Sequence, residues 1–160
     1  MGCCGTAGIC AVFSGRFDHS IDEKGRVSVP VRFREALQRA NTEALFITNF
    51  AQDGQRCLEL WPPDAWQQLI GRVKQKNSFN PKIRKFQTFY IGGAHEVQLD
   101  AQGRILVPPK LREFARLDRD VTFSALTDHF QLWDKRILER ILADAEESVG
   151  DPKFLEELDL

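Results

Sequence analysis

The sequence predicts an α+β protein built from two ββαββ units, paired about a pseudo-two-fold axis into a small β-barrel with flanking helices. Three observations carry this. The stretch DEKGRVSVP at 22–30 returns as DAQGRILVP at 100–108, with Gly25 and Gly103 standing 78 positions apart. The match runs on, because Arg32-Phe33-Arg34-Glu35 recurs as Lys110-Leu111-Arg112-Glu113. Farther along, LELW at 58–61 is echoed by FQLW at 130–133 with the offset reduced to 72, so the first copy holds six extra residues between the two matches. A surface loop absorbs such an insertion at small entropic cost. A repeat of this length means two related structural units. Four short strands and one short helix cannot bury both faces of a sheet or hide its edges. A second copy can, and that is the physical reason for the repetition.

Taken in order, residues 1–12 are rich in cysteine and glycine, lack periodicity, and are expected to form a loose N-terminal segment. RFDHSID (16–22) alternates Phe17, His19 and Ile21 with polar residues, the period of a half-buried strand. Gly25 allows a tight connection by taking a positive φ at no steric cost. RVSVP (26–30) resumes the alternation with Val27 and Val29 on one face. Pro30, which has no N–H, suits the first turn of a helix, and Phe33, Ala36, Leu37 and Ala40 follow at helical spacing. ALFITNF (44–50) and CLELW (57–61) read as strands around the turn QDGQ.

The second unit repeats this grammar: strands in AHEVQLD and RILVP, a helix in PKLREFARL, strands in VTFSAL and FQLW. A helix follows each unit. The first runs from Asp64 to about Lys76 with Trp66, Leu69, Ile70 and Val73 as its apolar stripe; the second runs from Lys135 to about Ser148 with Ile137, Leu138, Ile141 and Leu142. Between the units Asn80 caps a further helix, Pro81 takes its first turn, and Gly92-Gly93 ends it. Ile83, Phe86 and Phe89 are expected to form its buried side. The expected organisation is a first repeat at 16–63, linking helices at 64–93, a second repeat at 94–137, and a C-terminal helix with acidic tail at 138–160.

At 42% hydrophobic and 28% charged residues the chain has an ordinary globular composition. No run approaches the ~20 apolar residues of a membrane span, so no membrane partner is expected. The formal net charge of −1 conceals an asymmetry: six basic residues and no acid between Ala65 and His95, but seven acids against Lys153 alone from Asp144 onward. That distribution suits a polyanion-facing side and an acidic tail, or merely solvated helix faces. Cys3, Cys4 and Cys10 crowd the start, Cys57 stands alone, and His19, His95 and His129 are scattered, so neither a zinc site nor a disulfide framework is expected. A reducing cytoplasm fits. MGCCGT matches a myristoylation pattern, but one short enough to arise by chance; a native start near Val12 is the stronger expectation.

The chemistry gathers at the repeated turns. Asp22 precedes Arg26, and Asp100 precedes Arg104, by four residues across a glycine turn. Such an Asp can accept backbone N–H bonds and orient the guanidinium. The pairs could simply fasten their turns. They could also hold Arg26 and Arg104 toward phosphate or a guanine edge, which suits a planar bidentate donor. Lys24 adds charge to the first turn where Gln102 stands in the second, so the two are expected to contribute unequally. Two symmetric Asp-bearing turns also raise the reading of an acid-protease dyad, but Glu23 and Ala101, not Ser or Thr, follow these aspartates, and an Arg nearby keeps a carboxylate ionised and opposes proton sharing. With no GxGxxG, Walker loop or HExxH, neither an enzyme nor a cofactor, metal or small-molecule substrate is expected.

DEKGRVSVPVRFRE and DAQGRILVPPKLRE, with VFSG at 12–15, resemble the two half-motifs and the usual start of the MraZ family of bacterial transcriptional regulators, over about Phe13 to Ala145. The resemblance implies SpoVT-AbrB-type swapped-hairpin units, ring-like homo-oligomers, and binding of double-stranded DNA at short repeats upstream of the division and cell-wall gene cluster, in the cytoplasm and nucleoid. DNA contact would fall to Lys24, Arg26, Arg104, Arg32 and Arg34, with Asp22, Gly25, Asp100 and Gly103 orienting the turns. The alternative is an AbrB-like oligomeric protein-interaction module without specific DNA binding.

Overall fold

The computed structural model describes residues 11–160; MGCCGT, Cys3, Cys4 and Cys10 lie outside them, as does nearly all of the segment expected to be loose. The first unit comprises β1 (Arg16–Ser20), β2 (Arg26–Ser28), α1 (Val31–Arg39), β3 (Ala44–Gln52) and β4 (Gln55–Trp61). Then come α2 (Pro63–Lys74) and α3 (Pro81–Phe86), the latter prolonged by a π-helical turn, Gln87–Ile91. The second unit comprises β5 (His95–Gln98), β6 (Arg104–Leu106), α4 (Pro109–Phe114), β7 (Asp120–Ala125) and β8 (Phe130–Asp134), followed by α5 (Lys135–Val149) and α6 (Pro152–Glu157). No helix among the described residues is long and apolar enough to cross a membrane.

The fold is α+β with antiparallel sheets, and the two units exchange strands. One sheet has the order β1-β7-β8-β4-β3-β5, and β2 pairs with β6 in a separate ribbon. Thus β1 lies against β7 of the other unit, and β5 against β3. Replacing each strand by its repeat partner and reading the order backward returns the same sheet. Hydrogen bonding leaves this six-stranded sheet open rather than closing it into a ring.

Local sequence explains the joints. Asp53 and Gly54 both take positive φ, 50° and 75°, giving the two-residue hairpin turn whose twist matches its flanking strands. Pro30 sits one position earlier than its sequence suggests: with ψ near 140° it is the extended cap of α1, and its carbonyl accepts the first helical bond from Arg34 N–H at 2.9 Å. Asn80 caps α3 as expected, its side chain accepting from Lys82 N–H. Beyond it the wide π turn carries the inward stripe from the half-buried Ile83 and Phe86 to the buried Tyr90, which is 3% exposed, so Phe89, expected inside, is 43% exposed.

The main core draws on both units, with Val27, Phe33, Leu45, Leu58, Ile105, Phe123 and Phe130 among its members. Phe33 of α1 lies 4.7 Å from Phe130 and 5.4 Å from Phe13, ring centre to ring centre. Because β4 is buried on both faces, its alternate residues serve different layers: Leu58 and Leu60 face this core, while Cys57 packs under α5 and Trp61 under α2.

Glu59 is the exception in that strand. It pairs in register with Gln131 of β8, its own repeat equivalent, so the pseudo-axis passes between them. Two carboxylates directly opposed here would repel; one copy carries the amide instead. Glu59 accepts from Gln131 Nε2 at 2.9 Å and Tyr90 Oη at 2.5 Å, and His129 Nε2 lies at 3.2 Å. His129 also bonds Asp128 and stacks on Trp61 with ring centres 3.7 Å apart. Burial opposes both charges, yet the hydrogen bonds among them prevail: the Glu59 carboxyl is held below its ordinary range and His129 is raised above its own.

Candidate nucleic-acid interface

Each DxxGR turn folds identically. In the first, Asp22 Oδ1 accepts from Lys24 N–H at 3.0 Å and Arg26 N–H at 2.9 Å, while Oδ2 takes the Arg26 Nε–H at 2.7 Å. In the second, Asp100 Oδ1 accepts from Gln102 and Arg104 N–H, both at 2.9 Å, and Oδ2 takes Arg104 Nε–H at 2.9 Å. Backbone N–H donation from Arg26 and from Arg104, reinforced by their side chains, holds both carboxyls below the usual carboxylate range, so both are ionised at neutral pH. With Nε committed to Asp, each arginine keeps its two terminal nitrogens for another acceptor. Gly25 and Gly103 turn the chain at φ 88° and 75°.

The ribbon fixes where these arginines point. Arg26 pairs with Leu106, Val27 with Ile105, and Ser28 with Arg104. Val27 and Ile105 are 1% exposed, so the strand alternation sends Arg26, Ser28, Arg104 and Leu106 to the outer face. Arg26 and Arg104 therefore share that face, two ladder rows apart, or roughly 7 Å along the ribbon. Their side chains are 40% and 34% accessible. The units are stitched reciprocally: Val29 N–H donates to Gly103 O at 3.0 Å, and Val107 N–H to Gly25 O at 2.8 Å.

The remaining predicted residues divide by place. Lys24 and Arg32 are exposed, on the first turn and at the start of α1. Arg34 is half-buried; its Nε donates to Val29 O at 3.0 Å, and a side chain at Gly103 would collide with it. Arg34 of the first unit thus lies over the turn of the second. Arg112 returns the exchange, Nη1 donating to Glu23 O at 3.0 Å in the first turn. Arg112 is not among the residues that the turn chemistry singles out, although its alignment with Arg34 in the repeat is a signal for it. Leu106, 56% exposed amid the polar ribbon face, carries no such signal in the sequence, and only the ladder register reveals it. Among the described residues no His, Cys, Asp and Glu side chains gather to hold a metal ion.

Fold and site together define a tandem-repeat α+β protein whose exchanged units set two carboxylate-braced arginines on one exposed ribbon. A family model described as "MraZ protein, putative antitoxin-like" matches residues 12–89 and again 90–153. The chain is 41% identical over 125 residues to the "Transcriptional regulator MraZ" of Acidithiobacillus ferrooxidans, covering 77% of this chain and 83% of that protein. It is 36% identical over 147 residues to the protein of the same title from Roseiflexus castenholzii, covering 91% and 98%. The corresponding Syntrophobacter fumaroxidans protein is 38% identical over 123 residues, covering 77% and 79%. The chain belongs to the MraZ family.

Proposed function

We propose that this protein is a sequence-specific transcriptional regulator that lays the β2–β6 ribbon into the major groove of double-stranded DNA. The observation that carries the proposal is the pair of braced arginines on one ribbon face. Their spacing of roughly 7 Å corresponds to about two base-pair steps, and a two-stranded ribbon fits the major groove. The terminal nitrogens of Arg26 and Arg104 read guanine edges, while Lys24 and Arg32 meet phosphates. Arg34, like Arg112, positions a turn and adds positive charge. Asp22, Gly25, Asp100 and Gly103 hold the readers in place.

The strand exchange supports a swapped-hairpin AbrB-type barrel, with the ribbon and the six-stranded sheet as its walls, in repeats bounded near 16–63 and 94–137. One ribbon offers too few base contacts for a specificity of several kcal/mol. A ring-like homo-oligomer presents it repeatedly to short direct DNA repeats. The targets are the division and cell-wall gene cluster and the protein's own promoter, in the cytoplasm and nucleoid. The test is a gel shift against DNA upstream of its gene, with scrambled DNA as competitor. Retention that scrambled DNA abolishes equally, or no retention, returns the protein to the interaction-module reading.

A further inference from the structure

We propose that successive copies of this chain join head to tail, the basic helices α2–α3 of one copy docking on the acidic surface that the C-terminal half of α5, from Asp144 onward, forms with α6 of the next. This rests on the oligomeric reading above and adds which surfaces meet.

The repeat does not stop at the strands. α2 follows β4 as α5 follows β8, and the offset of 72 makes Arg72 the equivalent of Asp144 and Lys74 the equivalent of Glu146. Asn80-Pro81-Lys82 has its counterpart in Asp151-Pro152-Lys153, offset by 71. In both, the Asx side chain accepts from the Lys N–H, at 2.9 and 3.1 Å. Lys85 then corresponds to Glu156. The two helical pairs share an architecture, and their charge is inverted at Arg72/Asp144, Lys74/Glu146 and Lys85/Glu156, while Lys82 and Lys153 keep one sign.

Neither set is neutralised within the molecule. Among the described residues no ion pair within 4.0 Å engages a basic residue of α2–α3 or an acid beyond Glu139. Apolar surface accompanies the charge. On the acidic side Val149 is 48% and Leu158 52% exposed, and a groove between α5, α6 and the β3–β4 turn sets Asp53, Asp144 and Glu147 around Ile141 and Phe154. On the basic side Phe79, between α2 and α3, is 82% exposed. Exposed apolar groups rimmed by uncompensated charge are the anatomy of a protein contact.

The inversion also selects the symmetry. A two-fold contact through either helical pair would oppose like charges, which disfavours association. A heterologous contact brings basic face to acidic face, leaves one of each free, and propagates until a ring closes.

The test measures mass in solution by light scattering for the parent, Arg72→Glu/Lys74→Glu, and Asp144→Lys/Glu146→Lys. These residues are exposed, so far-UV circular dichroism and melting should match the parent. Each variant alone is expected at monomer mass, because the reversed charges of one face then meet like charges on the other while the remaining complementarity is roughly halved. Mixed in equal amounts, the two variants should recover the parent's mass, since the faces are again complementary. An oligomeric parent whose variants keep its mass, or fail to reassemble on mixing, overturns the proposed surfaces and leaves the oligomer standing. A monomeric parent overturns both.

Discussion

Replacing Arg26 tests whether the braced arginine reads DNA or merely fastens its turn. Its Nε lies 2.7 Å from Asp22 and its side chain is 40% accessible. A pair so exposed contributes little to folding, so Arg26→Ala should lower the melting temperature by no more than about 4 °C in a chain of this size. Its effect on DNA should be larger. Losing a bidentate base contact costs about 1–3 kcal/mol, roughly 5- to 150-fold in affinity, for each copy engaged. Arg26→Lys separates reading from attraction, because lysine keeps the charge but cannot form the planar fork. Operator affinity should fall in both variants. The slope of log affinity against log salt, near −0.9 per phosphate contacted, should stay unchanged in Arg26→Lys. Fluorescence anisotropy over a salt series, with specific and scrambled duplexes, measures all of this. Equal operator affinity for Arg26→Lys and parent would remove base reading by this residue. A large melting loss in Arg26→Ala would show that the pair is structural. Arg104→Ala should have the smaller effect, since Gln102 stands where the first turn has Lys24.

Gly103→Ala should destabilise by about 1–3 kcal/mol, visible in urea melts, because the position needs φ near 75° and the added methyl meets Arg34. The His129–Glu59 pair predicts a pH window. His129 is raised, so its contribution is complete below its unfolded value of about 6.5 and is lost as pH rises through the higher folded value. Glu59 is lowered, so its contribution is present above about 4.3 and is lost as pH falls through the lower folded value. Thermal melts should show His129→Gln closing part of its stability gap to the parent above pH ~7; a constant gap refutes the assignment. Operators with direct repeats one helical turn, ~10 bp, apart should bind more tightly than half-turn spacings, and equal binding would refute side-by-side reading.

The sequence alone determined the repeated unit, the order of its elements, and the chemistry of its turns, because these depend on near neighbours. Alternation in RVSVP placed Val27 and Val29 inside, Asn80 marked a helix start, and the spacing from Asp22 to Arg26 sufficed for the brace. It also implied that the two units need each other. The tertiary structure decided the partners. Periodicity assigns a residue to a face but does not name the strand beside it, so the pairing of β1 with β7 and the placing of Arg34 over Gly103 and Arg112 against Glu23 come only from how the units bury one another. The same holds for Glu59 and Gln131, equivalents 72 residues apart that meet on the pseudo-axis. Local pattern sets what each segment can bury; mutual burial of two copies sets against what.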